Sequence, residues 1–146
     1  MGLDMYLTAH RYLSIYDKEG KKTQEKIAKL FPEITLKPET IIFEAMYWRK
    51  ANMIHKWFVE NVQAGDDNCE MRYVTREKLE ELYKLVAETL KSKDSKLLPT
   101  TEGFFFGGTD YDEYYWEELE RTKKELRLLL DNEALKPFDF HYRSSW

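Results

Sequence analysis

The stretch Gly103-Phe104-Phe105-Phe106-Gly107-Gly108-Thr109-Asp110-Tyr111-Asp112-Glu113-Tyr114-Tyr115-Trp116 decides how the chain is read. Three consecutive phenylalanines predict a short buried strand, which two glycines then break. Thr109 or Asp110 is placed to cap a helix that runs to about Asp131. The result is a strand, a tight turn and a helix start, with an aromatic cluster on the first helical turns. Backbone N–H groups in a Gly-Gly turn and at a helix start can hold an anion. Tyrosine and tryptophan add flat faces with polar tips. Part of any ligand site is expected here.

Working outward, the segment from Met1 to about Tyr16 reads as a strand, because Leu3, Met5 and Leu7 alternate with Asp4 and Tyr6. Asp17 to Gly20 reads as a turn and Gln24 to Phe31 as a short helix ended by Pro32. Pro38 to Trp48 is a second strand, with Phe43, Ala45 and Tyr47 expected on one face. A helix follows from near Arg49 to just before Gly65, its apolar stripe carrying Ala51, Ile54, His55, Phe58, Val59 and Val62. Thr75 caps the next helix, whose buried face is Leu79, Leu82, Tyr83, Val86 and Leu90. Pro137 opens a last strand in which Phe138, Phe140 and Tyr142 alternate with Asp139, His141 and Arg143. These elements predict a single α+β domain over residues 1–146. It has a small, mainly antiparallel sheet of about four strands, with three main helices packed on one side.

The charge balance narrows the function classes. Net charge is −4, so no overall basic field draws in nucleic acid. Six carboxylates (Asp110, Asp112, Glu113, Glu117, Glu118 and Glu120) fall within eleven positions, and five lysines lie between Lys18 and Lys29. Cys69 is the only cysteine, which excludes an internal disulfide and a cysteine-based zinc site. The opening residues lack the pattern of a signal peptide, and no apolar run approaches the roughly 20 residues a membrane span needs. The carboxylates near Asp110 match no EF-hand spacing, and capping a helix already gives them a role. No metal and no cofactor are therefore expected.

The second informative stretch runs from Trp48 to Trp57. Arg49, Asn52 and His55 follow one another at intervals of three, so on a helix they share a face. Such a set could grip a phosphate and a base. Equally, His55 lies on the apolar stripe as a hydrogen-bonded core histidine, and Arg49 pairs with the acidic cluster. If the strand before each helix start were parallel to the other, both motifs would open on one cleft. The terminal Ser144-Ser145-Trp146 is read either as a pocket wall or as a staple on the sheet edge.

Several of these stretches together resemble a family of small proteins from bacteriophages and prophages. They are Met1-Gly2-Leu3-Asp4-Met5-Tyr6-Leu7, Trp48-Arg49-Lys50-Ala51-Asn52 with Ile54-His55, Trp57-Phe58-Val59 with Asn61-Val62-Gln63, Gly103 to Gly107, and Ser144-Ser145-Trp146. The resemblance implies a setting, the cytoplasm of a bacterial host, and no mechanism. By analogy with other small phage proteins, the expected role is to bind and sequester a small nucleotide-like or phosphorylated ligand in counter-defence. Trp48, Tyr111 and Tyr115 would stack on the base. Arg49, Asn52, His55, Gly108, Thr109 and Asp110 would hold its polar groups. Two alternatives stand beside this reading. One is a protein–protein module that inhibits a host factor, which exposed aromatics suit equally well. The other is a small enzyme on a similar ligand, with His55 as acid or base and Asp110 orienting it. The expected partner is thus a small ligand or a host protein, with neither nucleic acid nor membrane, and with self-association open.

Overall fold

Alternation of apolar and polar side chains builds the sheet. The computed structural model describes residues 2–146; Met1, the first residue of the expected opening strand, lies outside the described residues. Strand β1 (Asp4–Tyr12) buries Met5, Leu7 and Ala9 and turns Tyr6, Thr8 and His10 to the opposite face. It is flanked by β2 (Thr40–Arg49) and by β4 (Asp139–Ser145), which buries Phe140, Tyr142 and Ser144 in the same way. The short β3 (Arg72–Val74) closes the other edge, giving the order β2-β1-β4-β3 with every neighbouring pair antiparallel. Leu7 sits opposite Met46 on one side and Tyr142 on the other, so the inner faces of three strands coincide.

A bulge in β2 changes which residues face inward. Leu7 pairs with Met46 and Thr8 with Glu44, leaving Ala45 without an opposite residue. An extra residue flips the alternation beyond it. Tyr47 therefore lies with Tyr6 on the outer face, while Phe43 shares the side of Ala9 and packs on Phe138 at 5.7 Å. The expectation that Phe43, Ala45 and Tyr47 share one face is corrected by that single residue.

Four α-helices complete the α+β fold. In α2 (Asn52–Asn61), Met53, Ile54, Trp57 and Phe58 are buried; in α3 (Arg76–Ser92), Leu79, Leu82, Val86 and Leu90; in α4 (Glu113–Asp131), Tyr115, Leu119 and Leu126. These join the inner face of the sheet in one hydrophobic cluster. Thr75 caps α3 by accepting from the Lys78 N–H. Helix α1 (Lys18–Leu30) differs: Gly20 is its only buried residue, and the expected turn at Asp17–Gly20 is its first turn, capped by the Asp17 carboxylate. Among the described residues no helix is long and apolar enough to cross a membrane.

The triple phenylalanine is not a strand. Phe105 has φ of 61° and Gly107 of 86°, and left-handed residues spaced so closely cannot continue a ladder. Phe106 folds back over Gly103, where a Cβ would lie 2.2 Å from its ring, while Phe104 points into solvent. The helix beyond begins later than expected: Asp112, not Thr109 or Asp110, accepts from the Tyr115 N–H at 3.2 Å. The helix expected from Arg49 likewise starts at Asn52. Arg49 ends β2, and Lys50 breaks the backbone with φ of 56°.

Trp48 ties the sheet to α4. Its indole N–H donates to the Thr122 hydroxyl at 2.9 Å, and both residues are fully buried. Thr122→Val keeps the shape and orphans that donor, so it should cost about 1–3 kcal/mol. A Tm lower by several degrees than that of Thr122→Ser, which keeps the hydroxyl, is the expected outcome in a thermal melt.

Candidate functional site

Three backbone features converge where β2 ends. Arg49 is the last residue of the strand, Lys50 turns left-handed, and the loop from Thr101 to Asp112 lies against them. The carboxamide of Asn52 holds that loop. Its Nδ2 donates to the carbonyls of Phe106 (3.1 Å) and Gly108 (2.9 Å), and its Oδ1 accepts from the Thr101 N–H (3.1 Å). The Leu3 N–H adds a bond to the Phe105 carbonyl. Just before the loop, Thr100 donates its hydroxyl to the Thr109 carbonyl and its N–H to the Tyr111 hydroxyl.

This arrangement opens a cleft of about 640 Å³. Its walls are Tyr47, Arg49 and Lys50 from the β2 end, Gly107 and Gly108 from the loop, and Tyr114, Glu118 and Arg121 from α4. The last three recur at intervals of four and three, so α4 presents them on one face. Arg121 is clamped: it donates to the Tyr47 carbonyl at 2.9 Å and pairs with Glu118 and Glu125. Tyr114 donates to the Arg49 carbonyl, and Tyr47 to the Asp4 carboxylate. That bond to Asp4, with burial, holds the Tyr47 phenol above its ordinary value, and burial does the same for Tyr114. Both phenols stay neutral hydrogen-bonding groups. Arg49 and Lys50 have no ion-pair partner among the described residues, so the cleft mouth is cationic. A smaller recess of about 100 Å³ adjoins it through Lys50, Gly108 and Tyr114, and reaches Asp110 and Asp112.

The residues singled out from the sequence take different places. Arg49 and Gly108 line the cleft. Asn52 and Asp110 line the recess, where Asn52 is 2% exposed and spends its amide on the loop. Thr109 lends its carbonyl to Thr100, and Tyr111 packs edge-on against Tyr115 at 5.0 Å. Tyr115 is buried and donates to the Leu98 carbonyl; burial raises its phenol well above its ordinary value. Trp48 is fully buried, which leaves no ring face for a ligand. The two sequence motifs do meet, but through Asn52 rather than through two parallel strands. Tyr47, Lys50, Tyr114, Glu118 and Arg121 were not among the expected site residues. The spacing of the last three on α4 was the available signal.

His55 belongs to a separate, closed chain. Its Nδ1 bonds the Tyr142 hydroxyl at 2.7 Å and its Nε2 the Asp67 carboxylate at 2.9 Å. Asp67 in turn accepts from the Trp146 indole at 3.1 Å, and Trp146 packs edge-on against Phe106. A general base needs one free ring nitrogen facing a substrate. Here both are occupied, and the residue is 1% exposed. The terminal tryptophan acts as a staple. Comparison of the chain with protein-family models, with curated proteins and with solved structures finds no match in any of the three.

Two outcomes follow from these bonds. Asn52→Ala removes the group that satisfies two carbonyls and an N–H, so stability should fall by about 1–3 kcal/mol. Hydrogen exchange of the Thr101 amide should rise with it. For His55, burial lowers the pKa below 6.5, against the raising effects of the Asp67 hydrogen bond and charge. The unfolded chain then takes up a proton near 6.5 that the folded chain refuses. Stability should therefore be fully present above that pH and fall as pH drops from 6.5 toward the depressed folded value. Urea midpoints on both sides of this window should diverge less in His55→Gln than in the wild type. His10, also lowered chiefly by burial, adds a same-signed change common to both proteins.

Proposed function

We propose that the protein binds and sequesters a small phosphorylated, nucleotide-like ligand in the cleft between the β2 end and α4. The observation that carries this reading is the pairing of two cations lacking ion-pair partners, Arg49 and Lys50, with the rings of Tyr47 and Tyr114 in one cleft. Its volume of about 640 Å³ falls within the range of small-molecule sites, about 300–1,000 Å³. Guanidinium and ammonium groups suit phosphate oxygens. The Gly107–Gly108 backbone lets a ligand approach closely, and the tyrosines supply flat surfaces. Glu118 is occupied by Arg121, so it does little to repel an anion. Of the expected site residues, Arg49 and Gly108 stay in the proposed site, which now centres on the wall of Arg49 and Lys50 rather than on the helix start expected at Thr109 or Asp110.

Binding without turnover is favoured over catalysis because His55 is enclosed with both ring nitrogens bonded. Sequestration of a nucleotide signal in the cytoplasm of a bacterial host, as counter-defence, is the role that fits this reading and the phage-like sequence motifs. To test it, the purified protein is incubated with a bacterial nucleotide extract, recovered, denatured, and the released molecules identified by mass spectrometry. Intact nucleotide supports sequestration; altered nucleotide would make the protein an enzyme; an empty protein overturns the reading. With the recovered nucleotide, Arg49→Ala should weaken binding at least tenfold, about 1.4 kcal/mol. Its Tm should stay close to that of the wild type, because Arg49 is exposed and its side chain has no ion-pair partner among the described residues.

A further inference from the structure

Strand β2 is one edge of the sheet, and part of that edge is bare. The direction of its backbone groups follows from the bonds around it. In an antiparallel pair, residues whose N–H and C=O point to the neighbouring strand alternate with residues whose groups point away. The Glu39 carbonyl accepts from the Leu13 N–H, so Glu39 faces the β1 side. Counting forward from it, Thr40, Ile42 and Glu44 point outward. At the other end the Lys50 N–H donates to the Leu3 carbonyl, so Arg49 and Tyr47 point outward too. The carbonyls of these two are taken by Tyr114 and Arg121 of α4. Among the described residues, no such bond reaches the outward groups of Thr40, Ile42 and Glu44. Their strand is also exposed, Ile42 at 57% and Phe43 at 55%. An open edge of β-forming apolar residues is a template for another strand.

The side chains of this edge complement themselves. Two copies laid antiparallel about a two-fold axis at Ile42 set Ile42 opposite Ile42, Ile41 opposite Phe43 and Thr40 opposite Glu44. Every outward backbone group of the three residues then has a partner. β-Branched side chains meet β-branched or aromatic ones, and no like charges stand directly opposite. An axis at Glu44 would set carboxylate against carboxylate. The pairing is bounded at both ends by the chain itself. Helix α4 closes the edge from Tyr47 onward. The residue of the second copy that reaches the bulge before Tyr47 is Pro38, which has no N–H to offer and ends a strand.

We propose that the protein forms a two-fold dimer through β2, joining two four-stranded sheets into one continuous sheet. The contact is isologous and closes on itself, so assembly stops at two copies. It goes beyond ligand binding and stands apart from it, because the part of β2 that lines the cleft begins at Tyr47.

Sedimentation velocity from low to high micromolar concentration tests it. The edge from Thr40 to Glu44 is shorter than the roughly 20–30 residues a side of a standard interface, so the dimer should be weak and concentration-dependent. The wild-type mass should rise from 17.6 kDa toward twice that value and no further. Ile42→Lys and Ile42→Asp, at an exposed outward position, should each remain at 17.6 kDa. Mixed together they should pair, since position 42 meets position 42 only in this register. A second measurement uses a Cys69→Ser background, which removes the only cysteine. There Ile42→Cys should form a disulfide-linked dimer on oxidation, because directly opposite bonded residues have Cα atoms about 5.5 Å apart, within disulfide reach. Glu44→Cys in the same background should not. The proposal is overturned by a wild type that stays monomeric or grows past two chains, by an Ile42→Lys protein that assembles like the wild type, by a mixture that does not pair, or by crosslinking at Glu44 rather than Ile42.

Discussion

A buried carboxamide has two donors and an acceptor to satisfy, and Asn52 spends all of this capacity on one loop. The sheet brings β2 to its end at Arg49, and α2 begins three residues later. The loop from Thr101 to Asp112 has no ladder and no helix of its own. Its backbone groups need partners from elsewhere, since an unpaired buried polar group costs about 1–3 kcal/mol. Asn52 provides them for Thr101, Phe106 and Gly108, and the Leu3 N–H for Phe105. The position of Gly107 and Gly108 as a cleft wall depends on these bonds, and so does the approach of Phe106 to His55 and Trp146.

The parts of the fold legible in the sequence are those where one face is dry. Met5, Leu7 and Ala9 in β1, Phe140 and Tyr142 in β4, and the stripes of α3 and α4 follow period and burial together. The failures have local causes. Phe104 to Phe106 carry strand-forming side chains, yet one is exposed, one is left-handed and one folds back over Gly103. Tertiary bonds, not propensity, set that loop. The bulge at Ala45 leaves no mark in a single sequence. β3 has three residues, too few for alternation to show. For the site, Arg49 and Gly108 were legible as polar and flexible neighbours of strand or helix ends. Tyr114 was read as part of an aromatic cluster and Glu118 as one of six clustered carboxylates, while Arg121 carried no sequence signal of its own beyond its spacing from them.

Electrostatics separates the two polar clusters that flank α2. Both ring nitrogens of His55 have partners, and burial outweighs the pull of Asp67, so the imidazole is held neutral. That cluster joins the β4 end and the terminal residue to α2, and it is closed to solutes. Arg49 and Lys50 form no ion pair among the described residues, although Asp4 stands opposite Arg49 in the sheet and Asp110 and Asp112 share the adjoining recess with Lys50. Exposed charges are cheap to keep in water, and they become strong partners once a ligand excludes that water. The two clusters thus differ in kind: the polar atoms of the His55 ring are bonded on both sides, while Arg49 and Lys50 form no ion pair among the described residues.

Among the described residues Lys50, Ala64, Cys69, Lys93 and Phe105 hold positive φ without being glycine, and of these Lys50 lines the cleft. Lys50 holds φ of 56°, where a residue with a Cβ pays roughly 1–2 kcal/mol relative to the right-handed region. Its N–H donates to the Leu3 carbonyl at 2.7 Å and its carbonyl accepts from the Asn52 N–H at 2.9 Å, so the conformation is fixed from both sides. Across the cleft wall, Gly107 at φ of 86° leaves room for the Lys50 side chain; a Cβ there would lie 3.1 Å from the Lys50 Cβ. Glycine at position 50 would relieve the strain and lose the cation. Lysine keeps an ammonium at the mouth of the cleft beside Arg49. Strained residues persist where the surroundings over-determine them, and they cluster at ligand sites. At this junction the strain has a direct consequence: the left-handed turn ends β2 at Arg49 and places two consecutive cations on the wall of one cleft.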